Sequence, residues 1–301
     1  MFTYNTSLII PTKDRPDELF MLLEQLKLFK ISFLEIIVID SSNVEIKRYL
    51  KKICDKFSAN LYTTWASTSH QRNIGLIKKK KSLFTMFLDD DVVFFKNSFF
   101  EMNKVIAKYQ SNRSVSGFIF NQLLDEKIKL FEKIKTSKLI ESLGLYSSKP
   151  GKIMSSGWHT KILNVKNDTY ADWAYTAASI YKSKDIYNCR FNERFGTYGY
   201  LEDLDFSLNL KKKNKKFIIA HKAIFLHPTN IDRSSFNFGI VEVFNRYMIV
   251  KKYNLNKKNF LLAVLLKFVI LFLGIFKGNT RFFLRSLGNI AGIFKIIFSS
   301  K

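Results

Sequence analysis

Cysteine is almost absent from the 301 residues. Cys54 and Cys189 stand alone, with no Cys-x-x-Cys and no Cys/His cluster, which argues against a disulfide scaffold and a structural zinc site. No basic stretch precedes the apolar run within residues 1–10, so that run reads as a buried strand and not as a secretion signal, and the expected compartment is the cytosol. There is no internal repeat and no low-complexity linker. Acidic residues are scarce: 25 Asp and Glu face 49 Lys and Arg, giving a net charge of +24. After Glu242 they are missing altogether. Residues 243–301 carry 11 Lys and Arg and no acid, yet this is the most apolar part of the chain, with the run Phe260 to Phe276. Basic and apolar together match an anionic membrane surface. Nucleic-acid binders more often interleave arginine with aromatics along a polar groove, so no nucleic-acid partner is expected. An ordinary basic helical appendage is the plainer alternative.

The run 260–276 contains Lys267 and falls just short of the roughly 20 residues that cross a bilayer. Lys251, Lys252, Lys257 and Lys258 precede it, and Lys277, Arg281 and Arg285 follow. A single crossing would put one basic flank outside, against the positive-inside tendency. Beyond it, Phe283, Leu284, Leu287, Ile290, Ala291, Phe294, Ile297 and Phe298 recur at helical spacing, with Arg281, Arg285, Asn289 and Lys295 mainly on the other side. This pattern predicts an amphipathic tail lying in the membrane interface.

The first 120 residues alternate short apolar runs with helical periodicity. Ser7–Pro11, Glu35–Asp40, Asn60–Trp65, Ser82–Leu88 and Val115–Phe120 read as strands. Helices are expected from Pro16, from Glu45 to Phe57, from a cap at Ser69 through Lys80, and from Asn97 to Tyr109. Buried strands alternating with helices predict an α/β fold with a Rossmann-like, mostly parallel sheet, whose ligands bind at the carboxyl ends of the strands. Thr12, Asp40 and Asp89–Asp91 lie at such ends. Further on, Ala171–Tyr181 reads as a strand, Glu202–Lys213 as a helix, and Phe217–Leu226 as one or two strands ending at His227.

Five features could carry chemistry. Asp89, Asp90 and Asp91 repel one another at the end of an apolar strand. Extended backbone points Asp89 and Asp91 one way and Asp90 the other. A divalent cation bridging a diphosphate relieves that repulsion, and hard oxygen ligands suit Mg²⁺ or Mn²⁺; a solvated acidic turn is the bland alternative. Glu202 and Asp203 open a helix, either as caps or as a general base taking a proton from an acceptor hydroxyl. Asp40 suits ribose hydroxyls or a base N–H, or caps the next turn. Arg72 suits a diphosphate, or pairs with an acid at the surface. His227 is a metal ligand or a structural histidine.

The order Ile9-Ile10-Pro11-Thr12-Lys13-Asp14-Arg15-Pro16, Val38-Ile39-Asp40-Ser41-Ser42, Gln71-Arg72-Asn73-Ile74-Gly75, Phe87-Leu88-Asp89-Asp90-Asp91-Val92, Tyr200-Leu201-Glu202-Asp203-Leu204-Asp205-Phe206-Ser207 and then His227 resembles the family 2 glycosyltransferases with the GT-A fold, over roughly residues 5–250. The resemblance implies a GT-A domain over 1–242, with 1–120 as nucleotide-binding half and 121–242 as acceptor and catalytic half, followed by the tail 243–301. It implies a nucleotide-sugar donor, inversion at the anomeric carbon and an Mn²⁺ or Mg²⁺ cofactor. Thr12, Asp14, Asp40, Arg72, Asp89 and Asp90 would bind the nucleotide sugar, Asp91 and His227 the metal, and Asp203 would be the base with Glu202 as its alternative. The Gln-x-x-Arg-Trp motif of processive members is missing, since no tryptophan follows an arginine, which favours transfer of one or few sugars. The expected acceptor is a lipid-linked or surface-polysaccharide precursor at the cytoplasmic face of the inner membrane. The content of Lys, Asn, Ile and Phe suggests an AT-rich bacterial genome. Two rivals are a sugar-nucleotide pyrophosphorylase, which would favour a Gly-rich N-terminal loop, and a non-catalytic membrane-bound nucleotide-sugar binding protein.

Overall fold

The computed structural model describes residues 1–124, 137–228, 233–274, 276 and 282–299. They form two compact units, one from residues 1–124 and 162–228, the other from the described parts of 125–161 and 229–301.

The first unit is a sheet flanked by helices. Its strands are β1 (Thr6–Thr12), β2 (Glu35–Asp40), β3 (Asn60–Thr63), β4 (Phe84–Leu88), β5 (Val93–Phe94), β6 (Val115–Gln122), β7 (Thr169–Ala171), β8 (Ala178–Lys182) and β9 (Lys216–Leu226). Every residue of β1 and β4 is buried, as for strands covered on both faces. The covering helices are α1 (Pro16–Leu28), α2 (Val44–Lys56), α3 (Thr68–Lys78) and α4 (Ser98–Tyr109). Pro16 starts α1, and Leu19, Leu22, Leu23 and Leu26 bury its inner stripe. Short helices α5 (Lys138–Ser142), of the second unit, and α6 (Ser183–Ile186) follow, then α7 (Glu202–Lys211).

The strand order is β3-β2-β1-β4-β8-β6-β9-β5, with β7 also on β9. Strands β3, β2, β1 and β4 are mutually parallel, and so are β6 and β9. Strand β8 enters antiparallel between β4 and β6, and β5 and β7 pair antiparallel with β9. The chain leaves β1 on one side for β2 and on the other for β4, so the topological switch point lies between the carboxyl ends of β1 and β4. Helix α3 lies against this junction through Gly75, where any Cβ would collide with the Ile9 side chain.

Two expectations from the sequence change. The strand expected over Ala171–Tyr181 is broken into β7 and β8, because the Ser207 hydroxyl takes the place of a ladder partner for Ala174, accepting from its N–H at 3.1 Å. The cap of α3 is Ser67, whose hydroxyl accepts from His70 N, while Ser69 turns inward to Glu202.

In the second unit, α5 accompanies α8 (Phe236–Lys252), α9 (Lys257–Leu273) and α10 (Phe283–Ser299). The expected boundary at 242/243 falls inside α8. Leu145, Tyr146, Trp158, Val243, Val250, Phe260, Ala263, Val264 and Ile296 form its apolar core. Helices α8 and α10 meet backbone to backbone: a Cβ on Gly239 would strike the Arg285 carbonyl, and one on Gly288 the Phe236 carbonyl. Glu242 is 1% exposed and accepts from Lys267 and from Arg285 Nη2 (2.9 Å). Burial alone would raise its pKa, but Lys267, Arg285 and Arg246 outweigh that and hold it well below the ordinary glutamate value. Among the described residues no helix is long and apolar enough to cross a membrane.

Candidate functional site

The carboxyl ends of β1, β2 and β4 converge on one edge of the sheet. Thr12 and Asp40 are register partners there. Asp40 is fully buried; its Oδ1 accepts from Ser42 N (2.8 Å) and the Ser42 hydroxyl, and its Oδ2 has no hydrogen-bond partner. Asp14 sits in the left-handed region (φ 54°). Its N–H donates to Ser42 Oγ at 2.7 Å and its Oδ1 accepts from Asn43 N at 3.2 Å, which ties the loop after β1 to the loop after β2. From α3, Gln71 Nε2 donates to the Thr12 and Ile39 carbonyls, both at 2.8 Å, closing the ends of β1 and β2.

The three aspartates after β4 separate as the strand period requires. Asp90 turns inward, 5% exposed, and accepts from the Thr12 hydroxyl at 2.7 Å. Burial pushes its carboxyl up to about 7, against the Thr12 hydrogen bond and Arg15. Asp89 and Asp91 face outward together with His227, which follows the end of β9. One donor atom from each of the three lies within 4.8 Å of the others. His227 Nε2 is 3.0 Å from Asp91 Oδ1 and 3.7 Å from Asp89 Oδ2. Apart from His227, this buried Asp91 oxygen has no hydrogen-bond partner. Burial pushes Asp91 up, but His227 and Arg15 outweigh it and hold the carboxyl below its ordinary value. His227 is driven down by burial and more strongly up by Asp91 and Asp89.

Two carboxylates and one imidazole, with the buried Asp91 oxygen bound by no group but His227, make a fitting donor set for a divalent cation. The imidazole suits Mn²⁺ better than Mg²⁺, which prefers oxygen.

Arg72 joins this cluster to the start of α7. Its Nη2 donates to Asp89 Oδ1 at 2.7 Å and its Nη1 to Glu202, with both Arg72 and Glu202 nearly excluded from solvent. The other Glu202 oxygen accepts from Ser69. Glu202 is therefore engaged at both oxygens; Asp203 beside it is half-buried, and its Oδ1 accepts from Leu204 N at 2.7 Å. The turn leading into α7 carries Gly196, Gly199 and Leu201, all with positive φ (79°, 65° and 75°). A Cβ on Gly199 would lie 2.8 Å from the Glu202 carboxyl, so only glycine leaves room for the ion pair.

The structure thus gathers Thr12, Asp40, Asp89, Asp90, Asp91, Arg72, Glu202 and His227 into linked clusters, with Asp14 at the rim and Asp203 adjoining Glu202. Arg15 was not singled out by the sequence. Its Nη1 lies 3.2 Å from Asp90 Oδ1 and 3.0 Å from Asp91 Oδ2. The signal was its place just before the helix-starting Pro16, which aims it back across the strand ends. Gln71 was also missed, and Ser69 was read only as a cap: each is one polar residue in a helix, with nothing local to name its partner.

No protein-family model and no curated protein matches the chain. Solved structures do. A mannosyltransferase from Pyrobaculum calidifontis, in complex with GDP-Man and Mn²⁺, is similar with a TM-score of 0.55 at 10% identity over 97% of this chain and 87% of its own. GalNAc-T7, with UDP, GalNAc and Mn²⁺, is similar at 0.55 and 12% identity over 83% of this chain and 48% of its own. S. aureus TarS is similar at 0.50 and 14% identity over 89% of this chain, which spans 43% of the TarS length. The fold is that of the GT-A glycosyltransferases.

Proposed function

We propose that this chain is a metal-dependent, inverting glycosyltransferase that moves a sugar from a nucleoside diphosphate to an acceptor hydroxyl. The observation that carries the reading is the convergence of Asp89, Asp91 and His227 at the switch point of a GT-A sheet. A divalent cation held there would neutralise the charge that builds on the departing diphosphate. Asp40, with one unpartnered oxygen, takes a donor from the ribose or the base. Thr12 and Asp90 brace each other beneath it, and Asp14 shapes the rim. Arg72 holds Asp89 and Glu202 at fixed spacing. Asp203 takes the acceptor proton as the acceptor oxygen bonds to the anomeric carbon and the bond to the diphosphate oxygen breaks on the opposite face. Glu202, held in a buried ion pair with Arg72, is the weaker candidate for that step.

The acceptor we propose is a lipid-linked or surface-polysaccharide precursor at the cytoplasmic face of the cell membrane. Support comes from the second unit. On α10 the polar stripe faces in: Ser286 and Asn289 are fully buried, and Arg285 bonds to Glu242. The apolar stripe Leu284, Leu287, Phe294, Ile297 and Phe298 faces out. The sequence pattern set Arg285 and Asn289 opposite the apolar stripe, and that polar side turns toward the buried charge of Glu242. An apolar coat on a segment with +11 and no acid suits attachment in the plane of an anionic leaflet.

Incubation with UDP-, GDP- and dTDP-sugars with and without Mn²⁺ tests the chemistry. One donor should be hydrolysed slowly, only with metal, and Asp91→Ala should abolish it. Asp203→Asn should lower transfer kcat by ~10²-fold with donor affinity unchanged. Full activity in excess EDTA would sink the reading. Sedimentation with phosphatidylglycerol vesicles tests the membrane part: detergent but not high salt should release the protein.

A further inference from the structure

One tryptophan is exposed. Trp158 and Trp173 are each 5% accessible, whereas Trp65 is 55% accessible. Trp65 lies two residues past the carboxyl end of β3, and the residue before it, Thr64, donates its N–H to the Asp40 carbonyl at 2.8 Å. Trp65 therefore directly follows a residue bonded to the strand end that bears Asp40.

It is also braced. Its ring stacks on His70, with centroids 4.4 Å apart and planes inclined by 24°. His70 Nδ1 lies 3.1 Å from Glu193 Oε1, which accepts a second hydrogen bond from Asn73 Nδ2 at 2.8 Å. The indole is thereby ordered while much of its apolar surface stays in water, an arrangement that gives up rotamer freedom without full burial. A ligand that covers the open face recovers that cost. The ligand must be flat to match an indole and polar at one edge to use the neighbouring Asp40 Oδ2, which is buried and has no hydrogen-bond partner. A phosphate is not flat and offers the carboxylate no donor, and an acyl chain is neither flat nor polar at an edge. A purine or pyrimidine meets both.

We propose that Trp65, held by the His70–Glu193 brace, is the stacking platform for the nucleobase of the donor, with Asp40 taking a polar group of the same nucleoside. The assignment rests on the nucleotide-sugar reading. It adds a specificity-determining position, since the size and electronics of the stacked base then bear on the choice between donors.

The test is direct binding, without turnover. UDP, GDP and dTDP are titrated into the full chain at fixed Mn²⁺, followed by calorimetry and by tryptophan fluorescence, and the best binder is carried forward. Trp65→Leu should weaken it by roughly tenfold or more, the scale of losing one base–aromatic stack, and should remove the nucleotide-dependent fluorescence change. Trp65→Phe should stay within a few-fold of the parent. Inorganic pyrophosphate, which has no base, should bind the parent and Trp65→Leu alike. Equal affinity of the nucleotide for the parent and Trp65→Leu would overturn the proposal. So would unchanged nucleotide binding together with a raised KM for acceptor, which would make Trp65 an acceptor platform. If no nucleotide binds the parent chain, the donor reading falls and takes this assignment with it.

Discussion

Changing Glu202 to Gln separates a structural carboxylate from a catalytic one. The Arg72 and Glu202 side chains are 4% and 5% exposed, and Arg72 has one other carboxylate partner, Asp89 at 2.7 Å. Removing one partner of a buried ion pair costs about 3–5 kcal/mol, because the other charge stays buried without compensation. Here the low end applies. Arg72 keeps Asp89, and the glutamine amide oxygen still accepts from Ser69. A loss of about 3 kcal/mol follows, on the order of 10 °C in Tm for a unit of this size. Urea unfolding monitored by far-ultraviolet dichroism would measure it. A double-mutant cycle with Arg72→Met should return a coupling of about 1–3 kcal/mol, since removing the arginine removes the reason for the loss. Asp203→Asn is the matched comparison: it keeps an acceptor for Leu204 N and gives up a carboxylate charge in the first turn of α7, so it should cost clearly less than Glu202→Gln. The reasoning fails if Glu202→Gln unfolds like the parent while its transfer rate drops a hundredfold. That result would make Glu202 the base and Asp203 its neighbour.

Two more outcomes are expected. Gly199→Ala should destabilise the chain clearly more than Gly196→Ala: both glycines have positive φ, but a Cβ at 199 meets the Glu202 carboxyl at 2.8 Å while one at 196 meets nothing within 4 Å. Equal losses in urea would show that the turn yields without disturbing the ion pair. The second unit should be acid-sensitive through Glu242, whose folded pKa is depressed below its ordinary 4.5. A depressed carboxylate stabilises fully above its unfolded value, and that contribution drains away as pH falls below about 4.5 toward the folded value. Glu242→Gln should start less stable at pH 7 and lose this part of the acid slope; an unchanged slope would exclude Glu242 as its source.

The near-local parts of the site were legible in the sequence. A two-residue period at the end of a buried strand separates Asp90 from Asp89 and Asp91, and the contacts to Thr12 and His227 follow that division. Thr12 and Asp40 were placed by the rule that ligands gather at the carboxyl ends of parallel strands. What the period could not supply was partnership across the chain. Arg72 meets Glu202 130 residues later, and Ser69 meets it 133 residues later. Nothing in either segment specifies the other, so Arg72 read equally well as a phosphate ligand or a surface arginine. The antiparallel entry of β8 was hidden for the same reason, because strand direction is set by the path of the chain and not by strand composition.

The tail exposes a different limit. A 3.6-residue period sorts α10 into two faces but does not say which face looks inward. In water the apolar face would turn in and leave Arg285 and Asn289 outside. Two features reverse it. Glu242, the last acid of the chain, is buried in α8 and needs cations and a donor within reach, and Lys267, Arg285 and Asn289 supply them. Gly239, Gly288 and Gly292 also bring α8 and α10 so close that even a methyl group at those positions would press on the facing helix. Large residues of α10 are thereby steered away from the seam, and Phe294 and Phe298 point outward, 55% and 72% exposed. Helix contacts made through glycine, with polar groups enclosed and phenylalanine outside, are favourable where the outer medium is itself apolar. That is why the proposed attachment of this unit rests on which face of α10 is covered, more than on the length of the apolar run at 260–276.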